Sequence, residues 1–137
     1  MTPHHSSPPS AARWHRTFPG HTSQVRQARH FVRAHLPNHP DAELIVSELA
    51  TNAVTHTRTG NTGGTFTATI DQRPDGTIYM EIEDQGGPAT FGEPNPHHDR
   101  EGGRGLHLVT ALTLTWGVKG DATGRTVWAE LPPAADA

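Results

Sequence analysis

The amino-acid sequence predicts an α+β fold, a two-layer sandwich of helices against a sheet. Three observations carry that expectation: segments with apolar residues every three to four positions, segments with apolar residues every second position, and turn residues between them. The 137 residues suit one domain, and 32% hydrophobic with 18% charged residues leave room for a modest core and long connections.

Residues 1–12 are Pro, Ser, His and Ala with nothing to bury, so a disordered tail is expected there and again over 132–137, with the folded domain between, at 13–131. Trp14, Arg16 and Phe18 alternate with Arg13, His15 and Thr17 as a short first strand, ended by Pro19-Gly20. From Thr22 or Ser23, each a suitable N-cap, Val25, Ala28, Val32 and Leu36 recur at helical spacing until Pro37. A second helix starts at Pro40-Asp41, and Ala42, Ile45, Val46, Leu49 and Ala53 mark its apolar face to about Thr57. The period then drops to two. Phe66, Ala68 and Ile70, the turn Arg73-Pro74-Asp75-Gly76, and Ile78, Met80 and Ile82 spell an antiparallel hairpin with one buried face. The stretch from Gly86 to Gly105 has neither period and reads as a long loop, a candidate lid. Leu106, Leu108, Val109 and Leu112 suggest a short third helix. Two strands follow, one alternating Leu114, Trp116 and Val118, the other Val127, Ala129 and Leu131.

Composition excludes several function classes. A formal net charge of −3, with no expected stripe of Arg and Lys, argues against direct nucleic-acid binding. The absence of cysteine removes thiolate chemistry and disulfides. No apolar run approaches the roughly 20 residues of a membrane span, and the N-terminus has no signal-peptide core, so a cytoplasmic protein without a membrane partner is expected.

Three constellations carry candidate chemistry. Glu48 and Asn52 stand four residues apart on the second helix, one turn from each other on the same side. An amide oxygen beside phosphate oxygens and water suits Mg²⁺, and a carboxylate one turn back can act as a general base; two polar residues on a solvated helix face would look the same. Glu83-Asp84-Gln85-Gly86-Gly87 puts a carboxylate at a strand end before glycines, where it can accept from an exocyclic amine while the small backbone admits a flat base; a plain turn has the same residues. Gly102-Gly103-Arg104-Gly105 enters the third helix, and helix N-termini opened by glycine expose N–H groups to phosphate, although a hinge reads alike. The adjacent pairs His4-His5 and His97-His98 lack the helical spacing of a zinc site, and His56 and His107 read as packing or rim residues.

In this order the motifs resemble the Bergerat-fold (GHKL, histidine-kinase-like) ATPases, and most closely the anti-sigma regulatory factors, serine-protein kinases within that group. The resemblance spans about residues 13–131: ELATNAVTHT is similar to the N box, EIEDQGG to the first glycine box, GRGLHLV to the second, and TGRTVWAEL to the closing strand that supplies a threonine near the base. It implies a mixed, mostly antiparallel sheet with helices on one face, and ATP and Mg²⁺ as cofactors. It also implies Asn52 as Mg²⁺ ligand, Glu48 as general base, Asp84 as acceptor for the adenine amine, and Thr126 as a second contact near the adenine. Gly86, Gly103, Arg104 and Gly105 would line the nucleotide, with Leu106 starting the capping helix. The implied activity is phosphorylation of a serine on an anti-anti-sigma (STAS-type) protein, with a sigma factor sequestered in competition; homodimers are frequent in the family. A catalytically silent ATP-binding module that controls partner binding is the alternative. The ATP-hydrolysing part of a longer kinase is less favoured, because no phosphoacceptor-histidine hairpin precedes the motifs. One departure is Pro88, which stands where the family's first glycine box has its second glycine.

Overall fold

The computed structural model describes residues 10–87 and 102–134, with the side chains of 102–106 left aside. Residues 1–9 of the expected tail at 1–12, residues 135–137 of the one at 132–137, and the stretch 88–101 with Pro88, His97, His98 and most of the candidate lid lie outside the described residues.

In chain order the elements are β1 (Ala12–Pro19), α1 (Ser23–His35), α2 (Pro40–His56), a 3₁₀ turn (Arg58–Gly60), β2 (Thr65–Gln72), β3 (Ile78–Asp84), α3 (Gly102–Leu112), β4 (Thr115–Asp121) and β5 (Gly124–Leu131). The strands form one sheet in the order β1-β2-β3-β5-β4. All four pairings are antiparallel, so among the described residues the sheet is purely antiparallel rather than mixed. Order reaches past the expected boundaries: β1 starts at Ala12, and the Ala11 N–H donates to Gln72 O at 2.7 Å.

Each strand presents one parity of side chains to the helices. Phe18, Phe66, Ile70, Met80, Ile82, Val127 and Leu131 meet Phe31, Val32, Ile45 and Leu49 in a single core. Burying such a side chain contributes about 1.5–3 kcal/mol, which is why register in these strands is firmly set. Phe18 stacks on Phe66 at 5.2 Å and meets Phe31 edge-on at 6.0 Å, tying β1, β2 and α1 together.

The helix ends differ from what the residues suggest. Thr22 holds the N-cap position of α1 but makes no side-chain cap bond. Pro40 opens α2, whose cap is the buried His39: Nδ1 accepts from the Ala42 N–H at 3.2 Å. Because Nδ1 accepts, Nε2 carries the proton and donates to Pro132 O at 2.8 Å, latching the start of α2 to the chain after β5. Leu114, expected inside the fourth strand, lies before it and is 61% exposed, whereas Trp116 and Val118 pack against the core.

The arginines are unevenly distributed along the chain. Arg26, Arg29 and Arg33 recur at helical spacing on the exposed side of α1, and Arg13 and Arg16 project from β1. Arg33 reaches Glu43 at 2.7 Å. Among the described residues no helix is long and apolar enough to cross a membrane.

Candidate functional site

Helix α2 supplies one wall. Its apolar stripe of Ile45, Leu49 and Ala53 carries Asn52 inward with it, so that this amide is buried at 6% exposure. Asn52 Nδ2 has no hydrogen-bond partner among the described residues, an arrangement that costs free energy unless a ligand completes it. Glu48, one turn earlier, is half-buried at the edge of the same stripe, whereas Thr55 and His56 are exposed.

The end of β3 supplies the floor. Strand alternation runs Ile78, Met80, Ile82, Asp84, so the period that buries three apolar side chains buries the carboxylate too, to 3% exposure. Asp84 Oδ1 accepts from the Gly86 N–H at 2.7 Å, while Oδ2 has no partner among the described residues. Burial pushes the Asp84 carboxyl above the ordinary carboxylate range, opposed by the Gly86 N–H and the Arg125 charge. Gly86 adopts φ +73°, and a Cβ there would run into the Ala122 carbonyl, so the position requires glycine.

A set of hydrogen bonds fixes this floor to the wall. Thr59, fully buried in the 3₁₀ turn, donates to Thr65 O and accepts from the Gln85 N–H, both at 3.0 Å. Gln85 Oε1 in turn accepts from the Thr65 N–H at 2.8 Å. The Arg58 N–H donates to Gly86 O at 2.7 Å, and its guanidinium donates to Ala122 O at 2.6 Å, reaching the β4–β5 turn. An open depression of about 650 Å³ lies at this end of the sheet, lined by Arg58, Asn61, Glu83, Asp84, Gln85 and Gly124 among others.

Not every expected residue joins the site. Thr126 pairs with Glu83 on β3 and Lys119 on β4, and its side chain therefore leaves the sheet on the face opposite Asp84. The residue across from Asp84 is Arg125, 6% exposed, with Nε 4.0 Å from Oδ1. The signal for Arg125 was present in the sequence, because the period that buries Val127, Ala129 and Leu131 also turns Arg125 inward and Thr126 outward. Thr59 and Gln85 gave no such signal, since their role depends on chain segments that meet only in the fold.

Helix α3 begins at Gly102, so Gly103, Arg104, Gly105 and Leu106 lie within its first turns rather than in a loop ahead of them. The first N–H groups of a helix lack internal partners wherever it begins, so these backbone positions keep the capacity to hold an anion. The Arg104 and Leu106 side chains lie outside the described residues. Among the described residues no group of three or more His, Asp or Glu side chains is placed to hold a metal by itself. Asn52 with ligand oxygens and water remains compatible with a hard cation.

Residues 18–131 match the family model described as "Histidine kinase-like ATPase domain". Among solved structures, the chain is similar to the histidine kinase domain from the Erythrobacter litoralis EL346 blue-light activated histidine kinase, with a TM-score of 0.54 and 17% identity. The similarity covers 85% of this chain and 66% of that one, so this chain spans just under two thirds of its structural neighbour. A comparison with curated proteins gives no match.

Proposed function

The chain belongs to the histidine kinase-like ATPase domain family, and from that premise we propose that it binds Mg²⁺ and ATP and phosphorylates a serine of a protein partner. The observation that carries the nucleotide part is the pair of incomplete buried groups, Asp84 Oδ2 at the end of β3 and Asn52 Nδ2 on α2. An adenine amine fits the first: a strict acceptor, dry, and flanked by glycine backbone. Asn52 is the residue that would hold Mg²⁺, which when bound supplies charge neutralisation at the phosphates.

Each residue then has a task. Asp84 accepts from the exocyclic amine and sets the base in register. The N–H groups at the start of α3, from Gly103 to Leu106, face the phosphates, with Arg104 adding charge. Glu48 accepts the proton of the attacking serine hydroxyl as the new O–P bond forms and ADP leaves. The order of motifs supports a protein of the anti-sigma type, with an anti-anti-sigma (STAS-type) protein as phosphoacceptor and a sigma factor as the competing partner, acting in the cytoplasm, with homodimerisation as a further expectation.

Two measurements test this reading. Calorimetric titration with Mg²⁺ and ATP is expected to give saturable binding that Asn52→Ala weakens at least about tenfold, the loss of one well-placed contact. Unchanged affinity in that variant removes Asn52 from the site. Incubation with γ-labelled ATP and a candidate STAS-type protein is expected to label its serine, and Glu48→Gln is expected to keep nucleotide binding and lose the label. Binding without labelling of any candidate by the wild-type protein identifies the catalytically silent module instead.

A further inference from the structure

The acid on the site's floor does not stand alone. Asp84 and Arg125 are direct cross-strand partners on the core-facing side of β3 and β5, both nine-tenths or more buried. Their meeting is lopsided. Arg125 Nε lies 4.0 Å from Oδ1, the oxygen already held by the Gly86 N–H at 2.7 Å, and Oδ2 has no partner among the described residues. The guanidinium continues past the carboxylate: Nη2 lies 3.7 Å from where a Cβ on Gly87 would stand, with Thr57 Cα and Arg58 N beside the same point. Arg125 therefore spans from the floor strand to the C-terminal end of α2. On its other flank the neighbour across from it on β4 is Gly120.

We propose that Arg125 is the positioning residue of the base site, holding Asp84 in one rotamer and in the carboxylate form so that Oδ2 is presented to the exocyclic amine of a purine nucleotide. The inference rests on the nucleotide reading given above and adds the residue that makes the acceptor work. A buried carboxylate without an opposite charge takes up a proton, and the protonated oxygen no longer accepts. Among the described residues no other charge near Asp84 is placed as Arg125 is. Glu83 on β3 and Lys119 on β4 leave the sheet on the opposite face. Arg58 is engaged by Ala122 O and Gln85 O. Glu48 on α2 belongs to the phosphate end of the proposed site, and the Arg104 side chain on α3 lies outside the described residues.

The test compares two nucleotides across pH, using the full chain and Mg²⁺: ATP, and purine riboside triphosphate, which lacks the 6-amino group. Wild-type protein is expected to prefer ATP and to lose that preference on the acid side. R125Q, and R125M as a second neutral variant, are expected to move the pH at which ATP preference is lost upward by about one to three units, the usual effect of an opposite charge beside a carboxylate. R125K is expected to keep the wild-type midpoint, because it keeps the charge. In a D84N background R125Q is expected to add less than about twofold, since it acts through Asp84. A neutral variant with an unshifted midpoint overturns the proposal, as does one that weakens both nucleotides equally at every pH, the mark of a purely structural residue. Wild-type protein that binds both nucleotides equally overturns the base-site reading itself, and this assignment with it.

Discussion

Asp84 sits where stability and binding pull in opposite directions. Its carboxyl is raised above the unfolded value of 3.8 because burial outweighs the Gly86 N–H and Arg125. A group whose folded pKa is raised binds its proton more tightly when folded, so its stabilisation is fully present below the unfolded value and is lost as pH rises through the folded one. In the proposed site, nucleotide binding needs the opposite, the ionised acceptor, so ATP affinity is expected to rise with pH across the same window. Asp84→Asn is expected to weaken ATP binding at least about tenfold, and in thermal melts to be no less stable than wild type at pH 7. A variant clearly less stable at neutral pH would show that the carboxylate is held for structure rather than for a ligand. His39 makes a contrasting case: its two ring nitrogens are both used, so His39→Ala is expected to cost about 1 kcal/mol for the cap and more for the orphaned Pro132 carbonyl, read by denaturant unfolding, without touching nucleotide affinity.

At the scale of elements, the 3₁₀ turn matters more than its three residues suggest. Thr59 bonds both to the chain entering β2 and to the chain leaving β3, so the floor of the site is as rigid as that hydroxyl makes it. Thr59→Val keeps the shape and strands a buried carbonyl and N–H; a loss of about 1–3 kcal/mol in chemical denaturation is expected, with weaker ATP binding alongside. Both helices of the first half, the β2–β3 hairpin and the final strand were legible from period alone, since a buried face imposes its spacing on the sequence. Asn52 and Asp84, singled out by their motifs, are both buried. What escaped was the meeting of distant segments: Thr59 against Gln85, His39 against Pro132, and Arg125 against Asp84 depend on sheet order, which no local pattern encodes. The start of α3 was placed late because glycine is a poor helix former, and four residues from Gly102 to Gly105 include three of them.

Over the whole molecule, charge is unevenly shared. The first 40 residues contain five of the eleven Arg and Lys and none of the fourteen Asp and Glu. With Arg13, Arg16, Arg26, Arg29 and Arg33 all exposed, a protein of net charge −3 is expected to be retained on a cation-exchange resin at pH 7 and low salt. Arg26→Ala with Arg29→Ala is expected to advance its elution. Sheet order carries a different consequence, one of timing. The middle of the sheet is β3, and the neighbour on its far side is β5, the last of the described strands. Until residue 131 has left the ribosome, β3 is an uncapped edge displaying the alternating Ile78, Met80 and Ile82. A nascent chain stalled after α3 would therefore both lack the Arg125 that faces Asp84 and be prone to pair with its neighbours on the polysome, and the same strand ends both conditions at once.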